Sequence, residues 1–335
     1  MTYDPDRPGG PRLREEILPT GTGPSDITVS PEGTFAAAAH AEPQARSQWA
    51  LFRRRFVRHK LALVSIGVLV VLAVLCFGAS WFAPYSNTDQ DLLLGPVPPN
   101  GDHWLGTDEL GRDQLSRLLY AGQISLKIGF AVAVVSTFLG TLIGALAGYF
   151  GRATDQLLMR LTDLFLIVPG IAVLAIALGP DSGIRDLVPA GGDDAIIIIV
   201  LSALFWMYVA RVVRGQVLSL KEKEFIEAAR AAGASAPRII VRHIVPNIVG
   251  PIVVNVTLAV ALAIITESTL SFLGFGVQPP QTSWGNMLAD AEGYIGTDRS
   301  YLLYAPGIAI LITVLAVNFL GDGLRDAFDP QSERR

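Results

Sequence analysis

Three things are scarce in this 335-residue chain: it has one cysteine, four histidines, and only 17% charged residues. A single cysteine, Cys76, excludes an intrachain disulfide and a cysteine-rich metal site, and its place inside an apolar run makes it a small apolar residue. No G-x-x-x-x-G-K-[ST] phosphate loop occurs, so the chain has no visible means of holding nucleotide itself. The low charge accompanies 51% hydrophobic residues and a mean hydropathy of +0.44, and the apolar residues come in long blocks. That pattern excludes an ordinary soluble domain and implies a polytopic membrane protein. No nucleic-acid partner is expected; the net charge of −4 says little, because what matters in a membrane protein is where the positive charges lie.

A hydrocarbon core of about 30 Å takes roughly 20 residues of helix, because irregular backbone facing lipid leaves N–H and C=O groups unpaired. Six stretches qualify, residues 61–82, 128–150, 161–179, 195–213, 248–270 and 301–321, so the expected fold is all-α with six transmembrane helices. With a cytoplasmic N-terminus, 21 of the 26 Lys and Arg residues fall on the inner side and five on the outer, which puts both termini in the cytoplasm. The basic block from Arg53 to Lys60 then abuts the first span as an anchor to anionic headgroups. The organisation reads as a disordered cytoplasmic tail over residues 1–48, a basic segment with the first span and first outer loop over 49–127, and a core domain over 128–330. No cleavable signal peptide is expected, since no apolar run occurs before Leu61.

Between the fourth and fifth spans lies a polar, helix-forming loop, residues 214–247. Ser219 and Glu222 fit a capping box, so a helix is expected to begin there, run through Arg230 and stop at Gly233. Ser235 and Pro237 open a second short helix that ends at a break at Pro246. Phe225, Ile226, Ala229 and Ala232 are then available to enter a partner's groove, with Glu227 and Arg230 to orient them. An amphipathic helix resting on the headgroups is the competing account.

Glu227-Ala-Ala, three residues, Gly233, and a downstream Ile-Val-Pro246 resemble the cytoplasmic signature of permease subunits of ATP-binding cassette importers. His243, where the general pattern has an aliphatic residue, is similar to the branch importing dipeptides, oligopeptides and nickel. The stretches from His103 to Arg117 and from Leu270 to Pro280, with Ser283 to Met287, resemble the second permease of that branch. The resemblance covers residues 50–330 and leaves out the N-terminal tail, and residues 181–194 are longer than the corresponding connection.

The resemblance implies a type I importer permease fold in the cytoplasmic membrane of a prokaryote. It implies that the loop is a coupling helix docking on a cytoplasmic ATPase, with Glu227, Ala228, Ala229, Arg230, Gly233 and Pro246 as the coupling residues. The implied partners are a homologous second permease, two ATPase subunits or one fused ATPase, an extracytoplasmic substrate-binding protein and the lipid bilayer. ATP and magnesium would sit on the partner subunits, and this chain would bind no cofactor or metal and be no enzyme. Peptides are the first-choice cargo, with nickel or another small solute behind them.

Elsewhere, Gly140, Gly144 and Gly148 lie on one helix face and imply close packing against a neighbouring helix, within the chain or in a partner. Glu267, near the outer end of the fifth span, is expensive unless paired or wet; it and Asn255 on the same span are pathway or gate candidates, a structural hydrogen bond being the alternative for Glu267. Asp163 lies close to Arg160 and is expected in a surface or helix–helix ion pair. Pro169-Gly170 and Pro306-Gly307 are expected to kink the third and sixth spans. The outer segments 103–117 and 278–286 read as a polar surface for a binding protein or as a structural cap, and His103 has no second ligand at metal spacing. A stand-alone secondary transporter or channel would show repeated halves and charged or broken helices near the midplane; no clear repeat is found.

Overall fold

The structure, a computed structural model, describes residues 48–179 and 192–328. Long apolar stretches with few breakers become helices: α1 (Gln48–Arg58), α2 (Lys60–Phe77), α3 (Ala79–Phe82), α4 (Gln114–Phe150), α5 (Arg152–Ile167), α6 (Gly170–Leu178) and α7 (Gly192–Leu220). Two short helices, α8 (Glu224–Ala231) and α9 (Ala236–Ile239), precede α10 (Val249–Phe272), α11 (Trp284–Ala291) and α12 (Tyr301–Phe328). Five of these regions are long and apolar enough to cross a membrane, and α5 with Ala172–Leu178 of α6 adds a sixth crossing if the pair, bent by 79°, is one broken span.

The spans alternate in direction, which gives the bundle two ends. One, the base, carries α1, the α4–α5 turn, the 221–248 segment and the C-terminal end of α12, where the Phe52 and Phe328 ring centroids lie 4.4 Å apart with the planes tilted by 36°. The other, the cap, carries residues 83–113, α11 and the turns around it.

Helix α4 is the axis of this arrangement. At 1.5 Å per residue its 37 residues run about 55 Å, beyond a hydrocarbon core of about 30 Å. It packs along α7 through its glycine face. A Cβ on Gly140 would stand 2.5 Å from the Trp206 carbonyl oxygen, on Gly144 2.4 Å from that of Ala210, and on Gly148 2.8 Å from the Val217 Cβ. The neighbour that the glycines admit is thus in the same chain, and the close backbone approach lets Val209, Val213 and Val217 bury against Ala145.

Several boundaries differ from expectation for physical reasons. Helix α4 begins 14 residues before the apolar run, because Asp113 caps it by accepting from the Ser116 amide at 2.8 Å. The expected division at residue 127/128 therefore falls inside one helix. The expected kink at Pro169 is a full break: Val168 is extended (ψ 124°), as a residue before proline prefers. Pro306, in contrast, lies inside an unbroken α12. Asp163 pairs with Arg211 of α7 at 2.6 Å and so makes a helix–helix bridge, with Arg211 rather than Arg160. Helical structure is already present at Gln48, the last residue of the expected tail. Residues 1–47 and most of the loop expected over 181–194 lie outside the described residues.

Candidate functional site

The 221–248 segment folds as two short helices around a glycine bend. Gly233 has φ +79°, a conformation that costs an L side chain about 1–2 kcal/mol. The bend is a Schellman motif: the Ala234 amide donates to the Ala229 carbonyl at 3.0 Å and the Gly233 amide to that of Arg230 at 2.9 Å. A Cβ on Gly233 would meet nothing within 4 Å, so backbone conformation alone demands glycine there.

Helix α8 does not start at the expected capping box. Helix α7 runs through Ser219 to Leu220, because Val213 and Val217 continue its buried face against α4, and α8 starts after Lys223 without a side-chain cap. Nor does Pro246 end a helix. The chain widens into a π turn over Ile240–Ile244, tightens into a 3-10 turn over Val245–Ile248 and continues into α10. Proline cannot donate an amide to the preceding turn, and the Asn247 side chain supplies a donor to the His243 carbonyl at 2.6 Å. Pro246 therefore passes the segment into the membrane span without releasing it.

Ile226, expected to face a partner, is fully buried with Ile239, Ile244 and Ile248 against the ends of α4 and α7, a burial contributing about 2 kcal/mol. Ala229 is half-buried with them. Phe225, Glu227, Ala228, Arg230, Ala232 and Gly233 remain exposed, and the Glu227 carboxylate forms no ion pair or hydrogen bond among the described residues. Arg230 is not simply solvated: its guanidinium stands over the Tyr149 ring, 5.4 Å from the centroid. Lys221 donates to the Gly148 carbonyl at 3.2 Å, and Arg214 grips both oxygens of Asp155. The loop is thus fastened to the α4–α5 turn and α7 on one side and bare on the other. Tyr149, Lys221 and the Arg214–Asp155 pair escaped sequence reading, since nothing local marks them.

Glu267 and Asn255 are not brought together. Glu267 is fully buried near the cap end of α10, accepting hydroxyls from Ser125 (3.2 Å), Ser268 (3.4 Å) and Ser271 (2.7 Å). Ser271 also receives a bond from Ser283, and the Trp284 amide donates to Ser125, so this carboxyl ties α4, α10 and α11 together. The carboxyl is thus hydrogen-bonded inside the bundle, the structural alternative raised for Glu267. Asn255 lies toward the base, donating to the Pro251 carbonyl at 2.8 Å, in a cleft of about 310 Å³ with Gly250, Val254, Arg325 and Phe328.

The cap draws its charges inward. Arg117, 3% exposed, donates to Asp108 at 2.6 Å and Asp290 at 2.9 Å; Arg112 Nε also donates to Asp108, at 2.7 Å. The His103 ring bonds Asp113 at 2.9 Å. Much of the polar character expected of the 103–117 surface is therefore consumed within the cap. The true capping box is here, between Ser283 and Asn286 at the start of α11.

Fold and site together define the class: a multi-pass helical membrane protein with a glycine-bent polar loop exposed at one end. Residues 140–334 match the family described as binding-protein-dependent transport system inner membrane component, and residues 47–96 match the N-terminal TM domain of oligopeptide transport permease C. The chain is 41% identical over 286 residues to the oligopeptide transport system permease protein OppC of Mycobacterium tuberculosis (strain ATCC 25618 / H37Rv), covering 85% of this chain and 96% of that one. It is 37% identical over 303 residues to OppC of Bacillus subtilis (90% and 96% covered) and 38% identical over 284 residues to the dipeptide transport system permease protein DppC of that organism (84% and 85%). An inward-facing structure of the MetNI methionine ABC transporter shares the fold, with a TM-score of 0.53 at 20% identity over 63% of this chain and 96% of that one. The chain belongs to the family of binding-protein-dependent transport system inner membrane components, which are permease subunits of ABC importers and not themselves catalytic.

Proposed function

We propose that this permease forms half of a peptide translocation pathway, paired with a homologous second permease, and that its base faces the cytoplasm. The bare face of α8, from Phe225 to Gly233, docks on a cytoplasmic ATPase. The cap meets an extracytoplasmic substrate-binding protein. ATP with magnesium, held by the ATPase subunits, drives their closure, and the permease shifts between outer and inner access as the loaded binding protein and ATP together favour the outward state.

The observation that carries this reading is the two-sided build of the α8 segment. Ile226, Arg230 over the Tyr149 ring and Lys221 on the Gly148 carbonyl fasten it to α4 and α7, and Pro246 leads it without a stop into α10, so a push on the exposed face reaches three spans. Peptide cargo is favoured over nickel because the relatives are named for oligopeptides and dipeptides. The 21-to-5 distribution of Lys and Arg supports the orientation.

The test is a pair of variants in the complete importer reconstituted in lipid. Gly233→Pro replaces φ +79° with an angle near −65° and removes the amide that closes the bend; Glu227→Lys reverses an acidic charge on the docking face whose carboxylate has no partner among the described residues. Both are expected to leave membrane insertion intact and to lower peptide uptake per ATP hydrolysed at least tenfold. Unchanged uptake in both refutes the coupling assignment.

A further inference from the structure

Two half-exposed charges stand where a lipid-facing span offers only apolar surface. Arg211 of α7 donates to Asp163 of α5 at 2.6 Å, with the side chains 50% and 48% exposed. Their depth follows from α4, which packs alongside. Gly144 meets the backbone of Ala210, so Arg211 lies level with Gly144, six residues and about 9 Å from the end of α4 at Phe150. Residues 128–150 of α4 carry no charge. Nearer the base, Arg214 and Asp155 already tie α7 to the start of α5.

The pair is not alone on its face. Tyr208, Arg211, Gly215 and Ser219 recur at three- and four-residue spacing along the exposed side of α7, and a Cβ on Gly215 would meet nothing within 4 Å. Five residues beyond Asp163, α5 gives way at an extended Val168, and Ile167, Val168 and Pro169 are exposed there. Hydrocarbon tolerates neither feature. Charged side chains within a span face a partner or a water-filled cavity, and non-helical backbone at membrane depth is found only where protein buries it or it lines water. An aqueous pathway satisfies the ion pair, the polar stripe and the break at once, and the notch at Gly215 leaves room beside the charges.

Hydrogen-bonding capacity is left over at this spot. Among the described residues Arg211 spends one of its five N–H donors, on Asp163 Oδ1, while Asp163 Oδ2 and the Tyr208 hydroxyl take no partner. We propose that Asp163, Arg211 and Tyr208 form a station in the base half of the pathway that takes the charged ends of a peptide. The inference rests on the reading above that peptides pass along this chain. The terminal carboxylate accepts from the spare N–H groups of Arg211 and from the Tyr208 hydroxyl, and the terminal ammonium donates to Asp163 Oδ2. Every unblocked peptide carries these two charges whatever its side chains, so a paired cation and anion recognises peptides without reading their sequence. The exposed Leu157, Leu161 and Leu164 of α5 offer side chains an unselective apolar wall.

The test uses the complete importer with its binding protein in liposomes and compares uptake of tri-alanine with that of its C-terminal amide and its N-acetyl form. Selection by the binding protein is common to wild type and variants and cancels in the comparison. Arg211→Gln is expected to lower the preference for the free carboxylate over the amide about tenfold, and Asp163→Asn to lower the preference for the free amine over the acetyl form by a similar factor. Equal fractional loss for free and blocked peptides overturns the proposal, since it would mean that the pair merely ties α5 to α7. In nanodiscs without ATP, Gly215→Cys is expected to react with a membrane-impermeant thiol reagent, more slowly with tri-alanine present, against the low background of the buried Cys76. No reaction also overturns the proposal, because lipid or the second permease then covers the stripe. A wild-type importer that takes up none of the three peptides overturns the peptide reading itself and this inference with it, an outcome distinct from equal loss in the variants.

Discussion

At the base, the 221–248 segment leaves Glu227 unpaired and Phe225 in solvent, held by a few apolar side chains and one cation over a ring. At the cap, Asp108, Arg117, Asp113 and Glu267 are buried and bonded to one another or to neighbouring hydroxyls and amides. The same residue types are used oppositely at the two ends of one bundle. A cap locked by buried charges holds its shape, because removing any one partner strands another. A base fastened lightly by apolar contacts can tilt with whatever grips it. The comparison teaches that a charged motif near a membrane says nothing about exposure until its partners are located.

The comparison is most easily broken at Arg117. Arg117→Met leaves Asp108 buried with half its compensation, and the purified protein is expected to lose about 3–5 kcal/mol in denaturant unfolding; a loss below 1 kcal/mol would mean that the cap is not locked by charge. Between the two ends, Gly144→Leu drives side-chain volume into the Ala210 backbone and is expected to cost about 1–3 kcal/mol, read in the same unfolding experiment. A denaturant midpoint equal to wild type would show that α4 and α7 are free to separate. The smallest effect is expected at the base: Tyr149→Leu removes the ring under Arg230, weakening the hold on α8 by about 0.5–1 kcal/mol. Hydrogen exchange over residues 224–234 should quicken several-fold while global stability stays put, and unchanged exchange would show that Ile226 alone holds the segment.

Much of the fold was legible because it depends on local composition. The spans follow from apolar blocks, the bend at Gly233 from a glycine after a short helix, and the tight face of α4 from glycines every fourth residue. Where reading failed, a distant partner overruled a local signal. Ser219 and Glu222 carry a capping pattern, but the buried face of α7 continues through Val217 because Gly148 of α4 lets it approach. Lys127 bounded the apparent apolar run, yet α4 had begun at Gln114, capped by Asp113, whose pattern with Ser116 is local. The Ser283–Asn286 box departs from the usual Glu or Gln at its third position and so escaped notice.

The sequence by itself determined that this is a helical membrane protein with a glycine-bent polar loop between its fourth and fifth spans, since periodicity, hydropathy and φ preference are properties of neighbouring residues. Only the tertiary structure decided which polar groups are used internally and which are offered. Gln114 finds Leu302 across 188 residues and Ser125 finds Glu267 across 142. Hydrogen-bonding capacity is filled by whatever the fold brings within 3 Å, so whether a charge stays free is settled by packing and not by its local sequence.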